Sequence, residues 1–158
     1  MINQSWFKLV LCLGTAMALT LGVAGAHTEE EDAGFTKQIE YRQAAMNVFG
    51  WNLGNMGAMV KGKKPYDKAA FEGYAGDLAA AARLNVLTGF PDDSVSDDSD
   101  AKDEIWLQWE DFEQKFQAMQ AQTAKLAEVA SGGELEQIKA QFKETAASCK
   151  SCHRKYSH

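Results

Sequence analysis

The feature that most constrains this chain is an apolar stripe running without a slip through its last third. Ile105, Trp109, Phe112, Phe116, Met119, Thr123, Leu126 and Ala130 recur at spacings of four and three. After Gly132 and Gly133 the alternation resumes with Leu135, Ile138, Phe142, Thr145, Cys149, Cys152 and Tyr156. With 3.6 residues per turn, i+3 and i+4 return to the same side, so each set occupies one face of a helix. Two such helices, separated by a glycine pair that ends the first, must pack their stripes against a shared core. No strict apolar–polar alternation and no paired hairpin turn appears anywhere, so the sequence carries no β signal.

Two earlier segments carry the same signature. The first runs from about Phe35 to Lys61, with Met46, Phe49, Leu53, Met56 and Val60 as its predicted inner face. Gly50, Gly54 and Gly57 each weaken it by about 1 kcal/mol relative to alanine, but they permit close approach of a neighbour or a flat ligand. Lys61-Gly62-Lys63-Lys64-Pro65 stops it. The second is predicted from Asp67, as N-cap, to about Leu87, with Phe71, Tyr74, Leu78 and Ala81 facing inward. Residues 91–103 are rich in Asp and Ser but lack the glycine turn and terminal Glu of a calcium loop, and read as a solvated connection. The third helix is expected from about Ala101 to Ser131 and the fourth from Glu134. The fold class that follows is all-α, an antiparallel four-helix bundle.

The last helix ends in Cys149-Lys150-Ser151-Cys152-His153. C-x-x-C-H is the spacing that attaches a c-type haem: the two thiols add to the vinyl groups and the adjacent imidazole takes the iron. Competing uses of the spacing are weaker. A closed zinc site needs a second ligand pair, and no other Cys or Cys/His pair exists. A thioredoxin-like pair needs a βαβ setting. A disulfide between residues three apart staples little and leaves His153 idle. Both cysteines fall on the inward stripe, so an attached haem c sits inside the bundle, its edge towards the last helix.

The first 26 residues read as a secretory signal peptide: Lys8, then an apolar run from Leu9 to Val23, then Ala24-Gly25-Ala26 as a cleavage site before His27. Cys12 lies in mid-run, in no lipoprotein setting. The expected mature domain is residues 27–158, in the periplasm and free of the membrane. The whole chain has a formal charge of −6, and loss of Lys8 with the leader lowers it by one. Such a chain does not suit nucleic acid or anionic membrane surfaces. No nucleophile–base pair stands out, so it does not read as an enzyme. His27 and His158, at the mature termini, are expected to be mobile and to have no role.

Taken together, Tyr41-Arg42-Gln43, Met56 to Val60 with Lys61-Gly62, Lys64-Pro65-Tyr66-Asp67, Glu104-Ile105-Trp106 and Ala147-Ser148 before the haem motif resemble the cytochrome c′ family, class II c-type cytochromes. The resemblance covers essentially the whole mature chain. It implies a covalent haem c on Cys149 and Cys152 with His153 as proximal ligand. It implies contacts from Arg42 and Gln43 to the haem propionates and edge, and places Asp100 near the haem. Met46 would face the open side of the iron. If its thioether stays off the metal, the iron is five-coordinate and takes small gases such as NO and CO. If it ligates, the chain is a low-spin Met/His electron carrier. Relatives carry a basic residue four positions after the proximal His, where this chain has Ser157. The resemblance also implies a homodimer through the first two helices, compatible with an outward Trp51, and a periplasmic redox partner.

Overall fold

The structure is a computed structural model that describes residues 34–158; residues 1–26, expected to be a signal peptide, and His27 lie outside the described residues. It contains helices α1 (Thr36–Val60), α2 (Lys68–Ala82), α3 (Glu104–Leu107), α4 (Trp109–Gly132) and α5 (Leu135–Tyr156), with a 3-10 turn over Val86–Gly89. Among the described residues the only β pairing is an isolated antiparallel bridge between Ala101 and Ser157. The four long helices form the bundle. α4 packs against both α5 and α2, and α1 against α2, whereas α1 and α5 scarcely touch.

Local chemistry accounts for most of the boundaries. The Asp67 carboxylate accepts from Ala70 N at 3.0 Å and caps α2. α2 stops at Ala82, five residues before the predicted end. Arg83 N and Leu84 N turn back to the carbonyls of Ala80 and Ala81, and Asn85 leaves the helical region at ψ 64°. The chain then presses Gly89 against α1. A Cβ there would stand 3.1 Å from Arg42 Cβ and 3.2 Å from Gln38 O, so a side chain would need its neighbours to give by a few tenths of an ångström. Gly133 makes the turn between α4 and α5, where a Cβ would lie 2.6 Å from Val129 O. Glu134 and Gln137 close a capping box at the start of α5.

Two expectations are corrected. The predicted third helix divides: it starts at Glu104 rather than Ala101, and Gln108, at φ −135° and ψ 44°, separates α3 from α4. Neither glycine nor proline marks that break. The stripe crosses it intact, with Ile105, Phe112, Phe116, Met119, Thr123, Leu126 and Ala130 buried and Trp109 half-buried.

The inner face of α1 is also rotated from the predicted one. Its buried line is Ile39, Arg42, Ala45, Phe49, Asn52, Met56 and Met59, while Met46, Leu53 and Val60 are half-buried. The rotation follows from the packing: α1 lies on α2, so the Met46–Leu53–Val60 edge turns towards the open seam with α5. Cys149, Cys152 and Ala146 sit half-buried on the α5 side of the bundle core.

Leu126 and Ile138 are completely enclosed in the α4–α5 core. Leu126→Ala is expected to lower stability by about 2–5 kcal/mol, since it removes buried methyl groups and leaves a cavity. Leu107, which is 79% exposed, should change stability by no more than about 0.5 kcal/mol when replaced by Ala. Urea unfolding midpoints of the two variants check the contrast.

Candidate cofactor cleft

The upper part of the α1–α5 seam opens into a cleft of about 560 Å³, within the range of about 300–1,000 Å³ usual for cofactor sites. α1 contributes Arg42, Gln43, Met46 and Asn47; α5 and the C-terminus contribute Cys152, His153, Tyr156 and Ser157. Ile105, Phe112, Phe116 and Phe90 make an apolar wall, and Ser99, Asp100 and Ala101 make a rim. The aromatic wall is itself fixed by edge contacts, with ring centroids 5.0 Å apart for Phe90–Phe112 and 5.3 Å for Phe112–Tyr156.

Cys149 and Cys152 are both free thiols. Burial pushes both pKa values up, that of Cys152 to about 11, so both are neutral at neutral pH. Cys149 packs against the core cluster one helical turn from Cys152, and His153 is exposed at the mouth of the cleft. Among the described residues no three His, Cys, Asp or Glu side chains converge to hold a metal ion. His153 is the residue of the cleft that could offer an imidazole nitrogen to an iron.

Arg42 is the chief polar element of the cleft and is only 2% exposed. Nη1 donates to Gly89 O at 3.2 Å and Ser94 Oγ at 2.9 Å; Nη2 donates to Ser94 O at 2.9 Å and Ser99 Oγ at 2.8 Å. The guanidinium also lies over Phe90 and Trp106, 4.9 and 5.8 Å from their centroids. Burial lowers its pKa, yet a guanidinium stays charged in proteins. Its partners are all neutral, and its buried Nε has no partner. A buried guanidinium beside a cleft with an apolar wall and the Cys152 sulfur fits a flat macrocycle carrying carboxylates.

The loop over residues 91–103 is not merely solvated, as its composition suggests. Ser94 is completely buried, held by Arg42, and Ser99 is half-buried. Gln43 Nε2 donates to Asp98 O at 2.6 Å, and Trp106 Nε1 to Pro91 O at 2.7 Å. The C-terminus closes the far side: Lys102 N donates to Tyr156 O at 3.1 Å and His158 N to Asp100 O at 3.0 Å. His158 is thus tied down through its backbone, against the expectation of a mobile end. Ser157 uses its backbone for the bridge to Ala101, and no basic side chain stands at its position. Ser94 and Ser99 are the site residues that sequence reasoning missed. Nothing in an Asp- and Ser-rich run separates the two serines that face a buried arginine from those that face water.

Behind the cleft, the last turn of α5 is fastened to α4. Lys155 Nζ lies 2.7 Å from Asp111 Oδ2, and Tyr156 donates its hydroxyl to the same oxygen at 2.5 Å. These two hydrogen bonds hold the half-exposed Asp111 carboxyl down at about 2.

The cytochrome C' family model matches residues 37–157. The chain belongs to the cytochrome c′ family. Cytochrome c′ of Halomonas halodenitrificans is 37% identical over 131 residues, spanning 79% of this chain and 95% of that protein. Cytochrome c prime from Shewanella frigidimarina superposes with a TM-score of 0.75 at 41% identity, covering 78% of this chain and 95% of that one. A nitric oxide complex of a mutant of cytochrome c prime from Alcaligenes xylosoxidans superposes with a TM-score of 0.71 at 34% identity, covering 80% and 98%. Members of the cytochrome c′ family carry haem c covalently, and haem c is the cofactor of this chain.

Two predictions follow from the cleft's polar anchors. Arg42→Met should destabilise the protein by about 3 kcal/mol, because buried acceptors on Gly89, Ser94 and Ser99 lose their donors together; proteolytic nicking within residues 92–100 should accelerate. Asp111 has a folded pKa below its ordinary value, so its stabilisation is present above about pH 4 and is lost as the pH falls towards 2. Asp111→Asn should therefore unfold at lower urea than wild type at pH 6, with the gap in midpoint closing in acid.

Proposed function

We propose that this chain is a periplasmic haem c protein that binds small gases such as NO and CO at a five-coordinate iron, transfers electrons, or does both. In this reading Cys149 and Cys152 hold the cofactor through thioether bonds and His153 is the proximal iron ligand. Bound, the haem supplies an iron with an axial position for a diatomic ligand and a one-electron couple. The observation that carries the reading is the meeting of Cys152, His153, Met46 and Arg42 in one cleft on the α1–α5 seam. The nitric oxide complex of the Alcaligenes relative supports the choice of ligand.

The side chains of this chain have separable tasks. His153 supplies the imidazole nitrogen from α5. Phe112, Phe116 and Ile105 exclude water from the cleft and so disfavour charged ligands there. Arg42 offers its charge to a propionate, and Gln43 and Asp100 line the same end. Both Arg42 and Gln43 spend further donors on the loop, so cofactor binding and loop position are set by the same residues. Export, with cleavage after Ala26, brings the chain to the compartment where the thioethers form. A homodimer through α1 and α2 suits the outer face, where Trp51 is 68% exposed.

A second reading has its own observation. Met46 lines the same cleft as His153 from the opposite helix and is only half-buried. Its thioether can serve as a sixth ligand, making the chain a low-spin electron carrier.

The ferric optical spectrum of the holoprotein separates the two. Five-coordination gives a high-spin spectrum that Met46→Ala leaves unchanged, and ready CO binding when reduced. Methionine ligation gives a low-spin spectrum with a sulfur-to-iron band that Met46→Ala abolishes, and slow CO binding. Haem that leaves the protein in acidified organic solvent would sink the covalent assignment of Cys149 and Cys152 in either case.

A further inference from the structure

The α1–α5 seam holds a second groove, of about 760 Å³, which shares no lining residue with the cofactor cleft. Leu53, Gly54, Gly57 and Val60 of α1 and Phe142 and Ala146 of α5 line it with apolar surface. Gly57 leaves room for the Phe142 ring, since a Cβ would stand 3.3 Å from Phe142 Cζ; a Cβ on Gly54 would meet no atom within 4 Å. The floor is therefore open, and Ala146 brings it to one turn of α5 from Cys149.

The rim of this groove is cationic. Lys61 and Lys63 follow the end of α1, and Lys139 and Lys143 lie in the first half of α5. Lys139 is paired with Glu136 at 2.8 Å, but Lys61, Lys63 and Lys143 take part in none of the ion pairs among the described residues. These unpaired cations stand out against the charge of the whole chain, which is −6. Residues 92–113, at the cofactor-cleft end of the bundle, hold ten acids and one lysine. Glu134 at the N-cap of α5 and Glu136 and Glu144 in its first half accompany these lysines, so the contrast is between a mixed-charge lysine-rimmed end and that strongly acidic segment at the other end.

We propose that the lysine-rimmed groove is the docking surface for an acidic electron-carrier protein. It rests on the electron-transfer half of the function proposed above. Such a partner would set carboxylates against Lys61, Lys63 and Lys143 and seat an apolar side chain between Leu53 and Phe142. Exposed lysine–carboxylate pairs add little affinity. Their effect is on encounter: an acidic protein is repelled by the acidic end and drawn to the lysine end, which fixes its orientation before contact. The apolar floor then supplies the water-excluding contact that such interfaces need. A flat anionic membrane reaches the lysines but not the floor.

The test uses the reduced holoprotein and hexacyanoferrate(III), a small multivalent anion, followed by stopped-flow absorbance. One electron leaves the protein, hexacyanoferrate(III) becomes hexacyanoferrate(II), and no atom or proton moves. Raising ionic strength from about 0.01 to about 0.1 M shortens the screening length from about 30 to about 10 Å. Exchange at a cationic surface should slow about fivefold over that range. The triple variant Lys61→Gln, Lys63→Gln, Lys143→Gln should lose the salt dependence and exchange about fivefold more slowly at low salt. A triple variant with the same net charge, Lys37→Gln, Arg83→Gln, Lys125→Gln, should behave as wild type.

A wild-type rate that rises with salt, as the net charge dictates, overturns the docking surface while leaving electron transfer intact; so do equal effects in the two triple variants. Absence of any exchange overturns the electron-transfer reading and the docking surface with it. Binding to phosphatidylglycerol vesicles that only the first triple variant loses would assign the lysines to a membrane and overturn the proposal too.

Discussion

The rest of the structure depends on the packing of α5 against α4 along their matched four-three stripes. Ile138, Phe142 and Thr145 turn into the core with Leu126 and Thr123, and they fix the rotation of α5 about its own axis. Once that rotation is set, every later residue of α5 has its direction assigned. Tyr156 points inward to Phe112 and Asp111. Cys149 and Cys152 come to the edge of the core rather than its centre. The proposed attachment of haem through these two cysteines suits that intermediate position: deeper, and no space remains for the ring; farther out, and water surrounds it.

The same packing scheme leaves α1 committed to α2 and the α1–α5 seam unfilled. Apolar helix edges along this seam favour an occupant that supplies dispersion contacts. In the proposed reading a haem attached to α5 would supply them for the upper half. The Met46–Leu53–Val60 edge of α1 therefore works in two ways, with Met46 facing the cofactor cleft and Leu53 and Val60 facing the lysine-rimmed groove.

Arg42 shows how a buried charge is solvated by neutral groups. Four hydrogen bonds to neutral acceptors and two aromatic faces solvate the guanidinium, while its charge stays uncompensated. A buried cation of this kind is costly alone and favourable beside a carboxylate. Loop residues 89–101 depend on that side chain, and the C-terminal strand of backbone at Ser157 and His158 depends in turn on the loop. The rim of the cleft is consequently a single connected polar unit rather than separate surface segments.

The sequence by itself determined the helices and the inward faces of α4 and α5, and it carried the C-x-x-C-H spacing on which the cofactor reading rests. All of these are local: a stripe is read from spacings of three and four, and C-x-x-C-H lies within one and a half turns. It also pointed through resemblance to Arg42, Gln43, Met46 and Asp100, which do line one cleft with Cys152 and His153. Only the tertiary structure decided the rotation of α1, the break at Gln108, and the role of Ser94 and Ser99. The reason is that each depends on partners more than forty residues away or on backbone angles without a glycine or proline marker. Periodicity reports that a helix has an inner face; which of two neighbours that face meets, and what gap is left beside it, is settled only when all four helices are in place.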